Sequence, residues 1–258
     1  MATHAELVRW RAEEAAVNGF PALRVALLQG WLLRFSGGTR RTANSATPLR
    51  GASANADDLV EPVEALYRQL GQPAIFRIPS FLDPCVDAAL AARGYTMEGT
   101  SCVIFGDVRS IASAALPAQQ AGVVTRVSSR ASSDWFARVA AMQGQTGEQA
   151  AVYRRIVGSI TLPVAFAETL AAHEIVAAAF GIVHNGLLCF ESVVTDSGHR
   201  RRGHARRNLA ALAQWALEAG ATGASLQVEA PNAPARALYQ GIGLTTELHR
   251  YHYRRQPA

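Results

Sequence analysis

HRRRGHARR, residues 199–207, gathers five arginines and two histidines around one glycine and one alanine. Such a cluster must face something negative: a nucleic-acid backbone, a membrane surface or a small anionic ligand. Its flanks decide which. Upstream, EIVAAAFGIVH (174–184) and LLCFESVVTD (187–196) are two β-branched and apolar runs separated only by Asn185-Gly186. A type I′ turn needs φ > 0 twice, so Asn-Gly between such runs predicts a hairpin over 175–184 and 187–195. Downstream, Ala205, Leu209, Leu212 and Ala216 share one face of a helix that stops at Gly220. The arginines therefore sit at a strand-to-helix junction.

A helix start carries about half a positive charge and several unpaired N–H groups. Gly203 lets backbone approach an anion closely, with arginine adding charge from outside. This suits one pyrophosphate better than a polymer; the alternative is a solvated basic helix start. Around the junction, VVTRV (123–127) alternates as a strand, and Ser133 precedes the helix DWFARVAAM. Thr146 and Gln149 have capping-box spacing ahead of AAVYRRIV. LPVAFAETL is a strand, as is ASLQVEA (224–230). Asn232 caps the helix NAPARALYQ, and LTTELHRYHYR (244–254) closes the series as a strand.

Two segments now carry a resemblance. VVTDSGHRRRGHA (193–205), followed by an amphipathic helix, resembles motif A of the GCN5-related N-acetyltransferases (GNATs). The pattern Arg/Gln-x-x-Gly-x-Gly/Ala is met by Arg200, Gly203 and Ala205. LQVEAPNAPARALYQGIGL (226–244) resembles motif B, with Asn232, Ala235, Leu238, Tyr239 and Gly243 at its usual offsets. The element order agrees over about 121–258. The resemblance implies acetyl-CoA as cosubstrate. No metal is expected, because His199 and His204 are five apart and His249 and His252, three apart on a strand, fall on opposite faces. The pyrophosphate would lie on the backbone of 200–205, among Arg200, Arg201, Arg202, Gly203, His204, Ala205 and Arg206. The pantetheine arm would pair with the strand edge at Val193, Val194 and Thr195, and Asn232, Ala235 and Tyr239 would complete the cofactor site.

The implied chemistry is acetyl transfer to an amine. The amine must be neutral, the thioester oxygen stabilised and the leaving thiolate protonated. Tyr239 is the candidate general acid, since a phenol of pKa about 10 protonates a thiolate. Its alternative is a packing tyrosine. A backbone N–H near Val193 or Val194 is the candidate oxyanion donor. Glu191 is the candidate base, either at work in the site or simply solvated on the strand's outer face. Glu168, His184 and Glu229 are lesser candidates, and a water chain can replace a dedicated base.

The first half repeats the order of the second. After the helix AELVRWRAEEAAV comes GWLLRFSGGTRRTANS, in which Gly37-Gly38 is another hairpin signal. A helix (57–70), a strand (73–78), a helix (82–94) and a strand (95–106) follow. DAALAARGYTMEG reads like ARALYQGIGLTTE after a one-residue gap, with Ala91 in the slot of Tyr239. GASANADD stands where the arginine cluster would be, so this half cannot bind CoA by the same means. RSIASAALPAQQAG (109–122) is small, polar and without periodicity, as an interdomain linker is. The expected fold is α/β (α+β), with two acyl-CoA N-acyltransferase (GNAT)-like domains, each a mixed, mostly antiparallel sheet flanked by helices. The division is a degenerate domain at 1–108, a linker at 109–121 and a catalytic domain at 122–258. Arg34, Arg40 and Arg41 flank the Gly-Gly signal. Either they clamp a carboxylate or they decorate an exposed hairpin. By alternation Arg34 points away from Leu33 and Phe35. WLLRFSGGTRRTANS is similar to a segment of two-part acetyltransferases that act as stand-alone N-acetylglutamate synthases, which makes glutamate an acceptor candidate.

Composition narrows the partners. The chain has 258 residues, a net charge of +5, and 25 basic residues that are all arginine. Three separated cysteines without a C-x-x-C pair suggest neither a zinc knuckle nor a disulfide framework and fit a cytoplasmic setting. The N-terminus has no signal-peptide core, and the apolar stretch 160–183 is interrupted by Glu168, His173 and Glu174, so no membrane is expected. A nucleic-acid binder would interleave aromatic and basic residues on a sheet face; here the arginines centre on a helix start. The expected function is acetyl transfer to a small amine or amino acid. A protein acetyltransferase and an idle acetyl-CoA sensor are the alternatives, and both monomer and homodimer stay open.

Overall fold

A computed structural model of the chain describes residues 3–114, 116, 118 and 120–257. The first half runs α1 (His4–Gly19), β1 (Arg24–Leu28), β2 (Trp31–Phe35), β3 (Ala46–Pro48), α2 (Ala56–Gln69), β4 (Ile75–Pro79), α3 (Pro84–Ala92), β5 (Thr96–Asp107) and α4 (Val108–Ala112). The second runs β6 (Val123–Ser128), α5 (Ser133–Met142), α6 (Gly147–Gly158), β7 (Val164–Ala171), β8 (Glu174–His184), β9 (Leu187–Thr195), α7 (His204–Glu218), β10 (Gly223–Glu229), α8 (Ala233–Gln240) and β11 (Thr246–Arg255).

All eleven strands join one mostly antiparallel sheet, in the order β1-β2-β3-β4-β11-β5-β10-β9-β8-β7-β6. The order is a near-palindrome about the antiparallel β5/β11 pair. β11, the last strand of the second half, lies between β4 and β5 of the first. β5, the last strand of the first half, lies between β11 and β10. Each half thus completes its sheet with a strand from the other. Alternation along 244–254 specifies the faces of β11 but not its neighbours, which is why the sequence placed it only as the closing strand.

Local chemistry explains most boundaries. Asn185 and Gly186 have φ of 48° and 71°, the pair of positive values that the β8–β9 turn demands. Thr146 and Gln149 form a complete capping box on α6. The cap of α5 is Ser132 rather than Ser133; its hydroxyl accepts from the Trp135 N–H at 3.0 Å. That register turns Trp135 inward, where its indole N–H donates to Ala167 at 3.1 Å.

Three other expectations change. The tight turn between β1 and β2 is Gln29-Gly30, whereas Gly37-Gly38 opens a longer connection to β3 that Asn44 closes. The Asn44 side chain accepts from the N–H groups of Ser36 and Gly37 at 2.8 and 3.0 Å and donates to the carbonyls of Gly37 and Arg40. A side chain that supplies the turn's hydrogen bonds leaves no need for a two-residue hairpin. The expected linker begins with α4, capped by Asp107; residues 115, 117 and 119 of that stretch lie outside the described residues. Counted by hydrogen bonds, the equivalent of Tyr239 is Leu90 and not Ala91. Tyr95 N–H binds the Leu90 carbonyl as Leu244 N–H binds that of Tyr239, and Gly94 matches Gly243. Neither candidate carries a hydroxyl.

Candidate active site

β9 and β10 are parallel and paired only where Leu187–Cys189 meets Gly223–Ser225. Beyond Cys189 they part, leaving a wedge in the sheet. A β-bulge lies on the lip of the wedge: the β8–β9 register slips between Ala178 and Phe180, and Ser192 takes φ of 51°. The Tyr153 hydroxyl of α6 hydrogen-bonds the Ser192 hydroxyl at 2.8 Å across this bend. The β10-facing edge of 190–195 therefore presents backbone groups that call for a partner.

An open cleft of about 650 Å³ runs from this edge to the start of α7. Val193, Val194 and Thr195 form one wall, His199, Arg200, Arg201, Gly203, His204, Ala205 and Arg206 its foot, and Asn232, Ala235 and Tyr239 of the α8 region the other wall. Gly203 is the residue before α7, with φ of 79° and no side chain to cap the helix. The first-turn N–H groups are thus left without a side-chain cap beside two exposed arginines, and this fits a pyrophosphate. The matching helix start in the first half is capped by Asn55 and carries Asp57 and Asp58 in its first turn, so it offers an anion nothing.

At its narrow end the cleft opens into a chamber lined by Glu191, Ser192, Val193, Gln227, Glu229, Asn232, Tyr239, Arg40 and Gln143. Burial drives the Glu191 carboxyl up to about 7, against the pull of Arg40 and Arg34 and a contact from the Cys189 thiol. Burial, then the Glu191 charge, pushes the Tyr239 phenol up to about 12. Arg40 reaches the chamber from the loop after β2. Its guanidinium lies over the rings of Tyr153 at 5.1 Å and Phe20 at 5.5 Å and donates to the Gln143 side-chain oxygen.

The sequence-predicted residues thus assemble with two exceptions. Arg202 is exposed and does not line the cleft. Arg34 is buried at 2% exposure and donates to the Phe20 carbonyl. Burial holds its pKa down at about 10, so it braces the end of α1 instead of facing a ligand. Alternation put Arg34 on an open face, but the end of α1 closes that side at Phe20, while the Tyr67 hydroxyl holds the Arg34 backbone. Arg41 lies in an outer vestibule, paired with Glu98 at 2.9 Å, and Glu98 also takes Arg255 at 2.7 Å. Asn232 spends its side-chain oxygen on the Ala235 N–H at 3.2 Å, and Arg206 donates to the Gly241 carbonyl at 2.7 Å. Of the lesser base candidates only Glu229 lines the chamber; Glu168 of β7 pairs in register with Ala178 of β8, and His184 meets Asn18 and Glu14. Gln143, Tyr153, Ser192 and Gln227 carried no signal in the sequence, because only the folded α5–α6 corner brings the first two to the wedge.

Known proteins share this architecture. A family model described as "Probable histone acetyltransferase Rv0428c C-terminal" matches residues 8–254. The Bacillus subtilis protein named uncharacterized N-acetyltransferase YobR is 25% identical over 244 residues, covering 95% of this chain and 97% of that protein. Among solved structures, a GCN5-related N-acetyltransferase from Kribbella flavida superposes with a TM-score of 0.68 at 16% identity, covering 100% of this chain and 97% of that one. A tandem GNAT protein from the clavulanic acid biosynthesis pathway gives 0.62 at 14% identity over 76% of this chain and 68% of that one. No helix among the described residues is long and apolar enough to cross a membrane. The family match over nearly the whole length, on a GNAT fold with both motifs around one wedge, identifies the chain as a member of the Rv0428c C-terminal acetyltransferase family, an N-acetyltransferase of the GNAT type.

Proposed function

We propose that this chain moves the acetyl group of acetyl-CoA to the amino group of a small amine or amino acid by direct attack in a ternary complex. The observation that carries the reading is the chamber in which Glu191 and Tyr239 share one space at the mouth of the Gly203 cleft. The backbone of 200–205 with Arg200 and Arg201 would hold the pyrophosphate, and the edge of 193–195 the pantetheine arm. When bound, acetyl-CoA supplies the activated acyl group. Glu191, its pKa near 7, takes the proton of the attacking amine. An N–H of Val193 or Val194, beyond the bulge, donates to the oxygen on which charge develops. Tyr239, protonated throughout the physiological range, donates to the departing sulfur. The two groups are coupled: the Glu191 charge is one reason the phenol is weakly acidic, so proton uptake by Glu191 makes Tyr239 a better donor.

Arg40, with Arg41 and Arg255 further out, supports an acceptor that carries a carboxylate as well as an amine. The division into a degenerate first domain that walls the acceptor site and a catalytic second domain belongs to the same proposal. Thiol release from acetyl-CoA, measured against amines and amino acids including L-glutamate, tests it. Release dependent on one acceptor class is the expected result. Acetyl-CoA bound without release under any small acceptor would favour a protein acceptor, in line with the histone acetyltransferase description of the family.

A further inference from the structure

The bend in β9 is held from outside the sheet. Ala178 pairs with Val194 and Phe180 with Glu191, so Ser192 and Val193 together stand opposite Ala179 alone. Ser192 is the residue that turns, at a φ of 51°. Glycine takes a left-handed conformation freely and is the usual residue at a bulge that needs one. Serine is strained there, so its hydroxyl is what this position gains over glycine. That hydroxyl makes one hydrogen bond among the described residues, and the donor is the Tyr153 hydroxyl at 2.8 Å. Burial holds the Tyr153 phenol far above its ordinary range, so it keeps its proton at every physiological pH.

Tyr153 is itself firmly placed. It is buried at 2% exposure and packs against the rings of Phe20 and Phe136, with centroids 6.0 and 6.2 Å away. The Arg40 guanidinium lies over its ring at 5.1 Å. One side chain thus meets the acceptor-side arginine with its ring and the β9 bend with its hydroxyl. The bend decides where the next N–H groups point, because one inserted residue reverses the alternation of the strand beyond it. We propose that Tyr153 is a positioning residue: its hydroxyl fixes the Ser192 bend and so aims the N–H groups of Val193 and Val194 at the thioester oxygen. The inference rests on the acetyl-transfer reading above.

Tyr153→Phe keeps the ring, its packing and the Arg40 contact and removes only the tie to Ser192. With the acceptor that the wild-type chain uses, kcat should fall roughly tenfold or more, since a whole oxyanion donor is worth about 10²–10³-fold and a misaimed one part of that. Acceptor KM should stay within about twofold, because Arg40 remains over the ring. Ser192→Gly removes the same tie from the other side, so adding Tyr153→Phe to it should cause no further fall. A kcat within twofold of wild type, a loss confined to KM, or effects that multiply in the double variant overturns the proposal. Amide hydrogen exchange on the full chain gives a readout apart from turnover. The amides of 192–195 that pair with β8 should exchange roughly tenfold faster in Tyr153→Phe, while β7 keeps its wild-type rates. Unchanged exchange at 192–195, or acceleration spread evenly over the sheet, overturns the proposal. If the wild-type chain releases thiol with no amine, the acetyl-transfer reading fails, and hydrogen exchange alone decides whether Tyr153 holds the bend.

Discussion

At the residue scale, the proposed acetyl transfer rests on one carboxyl held near neutrality. Glu191 sits at the point where burial and two arginines oppose each other. A base with a pKa of about 7 gives a kcat/KM that climbs with pH through 7, because only the ionised form accepts the amine's proton. Arg40→Met removes the stronger of the two arginine charges that stabilise the carboxylate, so the ascending limb should move to higher pH. Glu191→Gln should abolish the limb and lower turnover roughly 10²–10⁴-fold. A pH–rate profile of the three proteins checks both. A limb unmoved in Arg40→Met would show that Arg40 does not act on Glu191.

At the scale of elements, the decisive pieces are the β9 bulge and the start of α7. Both depend on left-handed backbone, at Ser192 and Gly203. Gly203→Val should cost roughly 1–2 kcal/mol of stability, since a β-branched residue is strained at a φ of 79°. It should weaken CoA binding as well, by moving the first-turn N–H groups; Tm and a CoA titration read the two effects separately. Much of this was legible in the sequence. The Asn185-Gly186 hairpin, the arginine junction and the Asn232 cap announce themselves through local chemistry, whereas Tyr239 stands out only through the resemblance to motif B. The bulge did not, because Ser192 in a run of strand-formers carries no sign of a positive φ. Arg34 misled for a related reason: alternation tells which way a side chain points, not whether a helix covers that side. The swap of β5 and β11 was hidden because strand partners are chosen by tertiary packing, not by the strand's own pattern.

At the scale of the whole molecule, the two halves are knitted together. β5 and β11 each complete the other half's sheet. Glu13 of α1 is buried against Arg77 of β4 and hydrogen-bonded to His249 of β11 at 2.6 Å, so one carboxylate bridges three elements from both halves. Scanning calorimetry should show one cooperative transition, and two resolved transitions would contradict the interlock. Acid sensitivity should reflect two opposed groups. Burial, then Arg77 and Arg9, holds His249 at about 3, whereas an unfolded histidine takes its proton near about 6.5, so its contribution to stability shrinks as pH falls below that value. Glu191 does the reverse: protonated to about 7 in the fold and to only about 4.3 when unfolded, it loses stability as pH rises through 7. Between these limits the slopes offset each other. Glu191→Gln should therefore steepen the loss of stability from pH 6.5 down to about 4.5, and His249→Gln should flatten or invert it.

Tyr239 and Glu191 line one chamber at the wedge. The most direct measurement is thiol release from acetyl-CoA by the wild-type chain and by Tyr239→Phe, side by side with CoA binding to each. Acceptor-dependent release should fall roughly 10²-fold or more in the variant while CoA affinity stays almost unchanged. Equal turnover in the two proteins would remove Tyr239 from the chemistry, and failure of either to bind CoA would contradict the reading of HRRRGHARR as a pyrophosphate cradle.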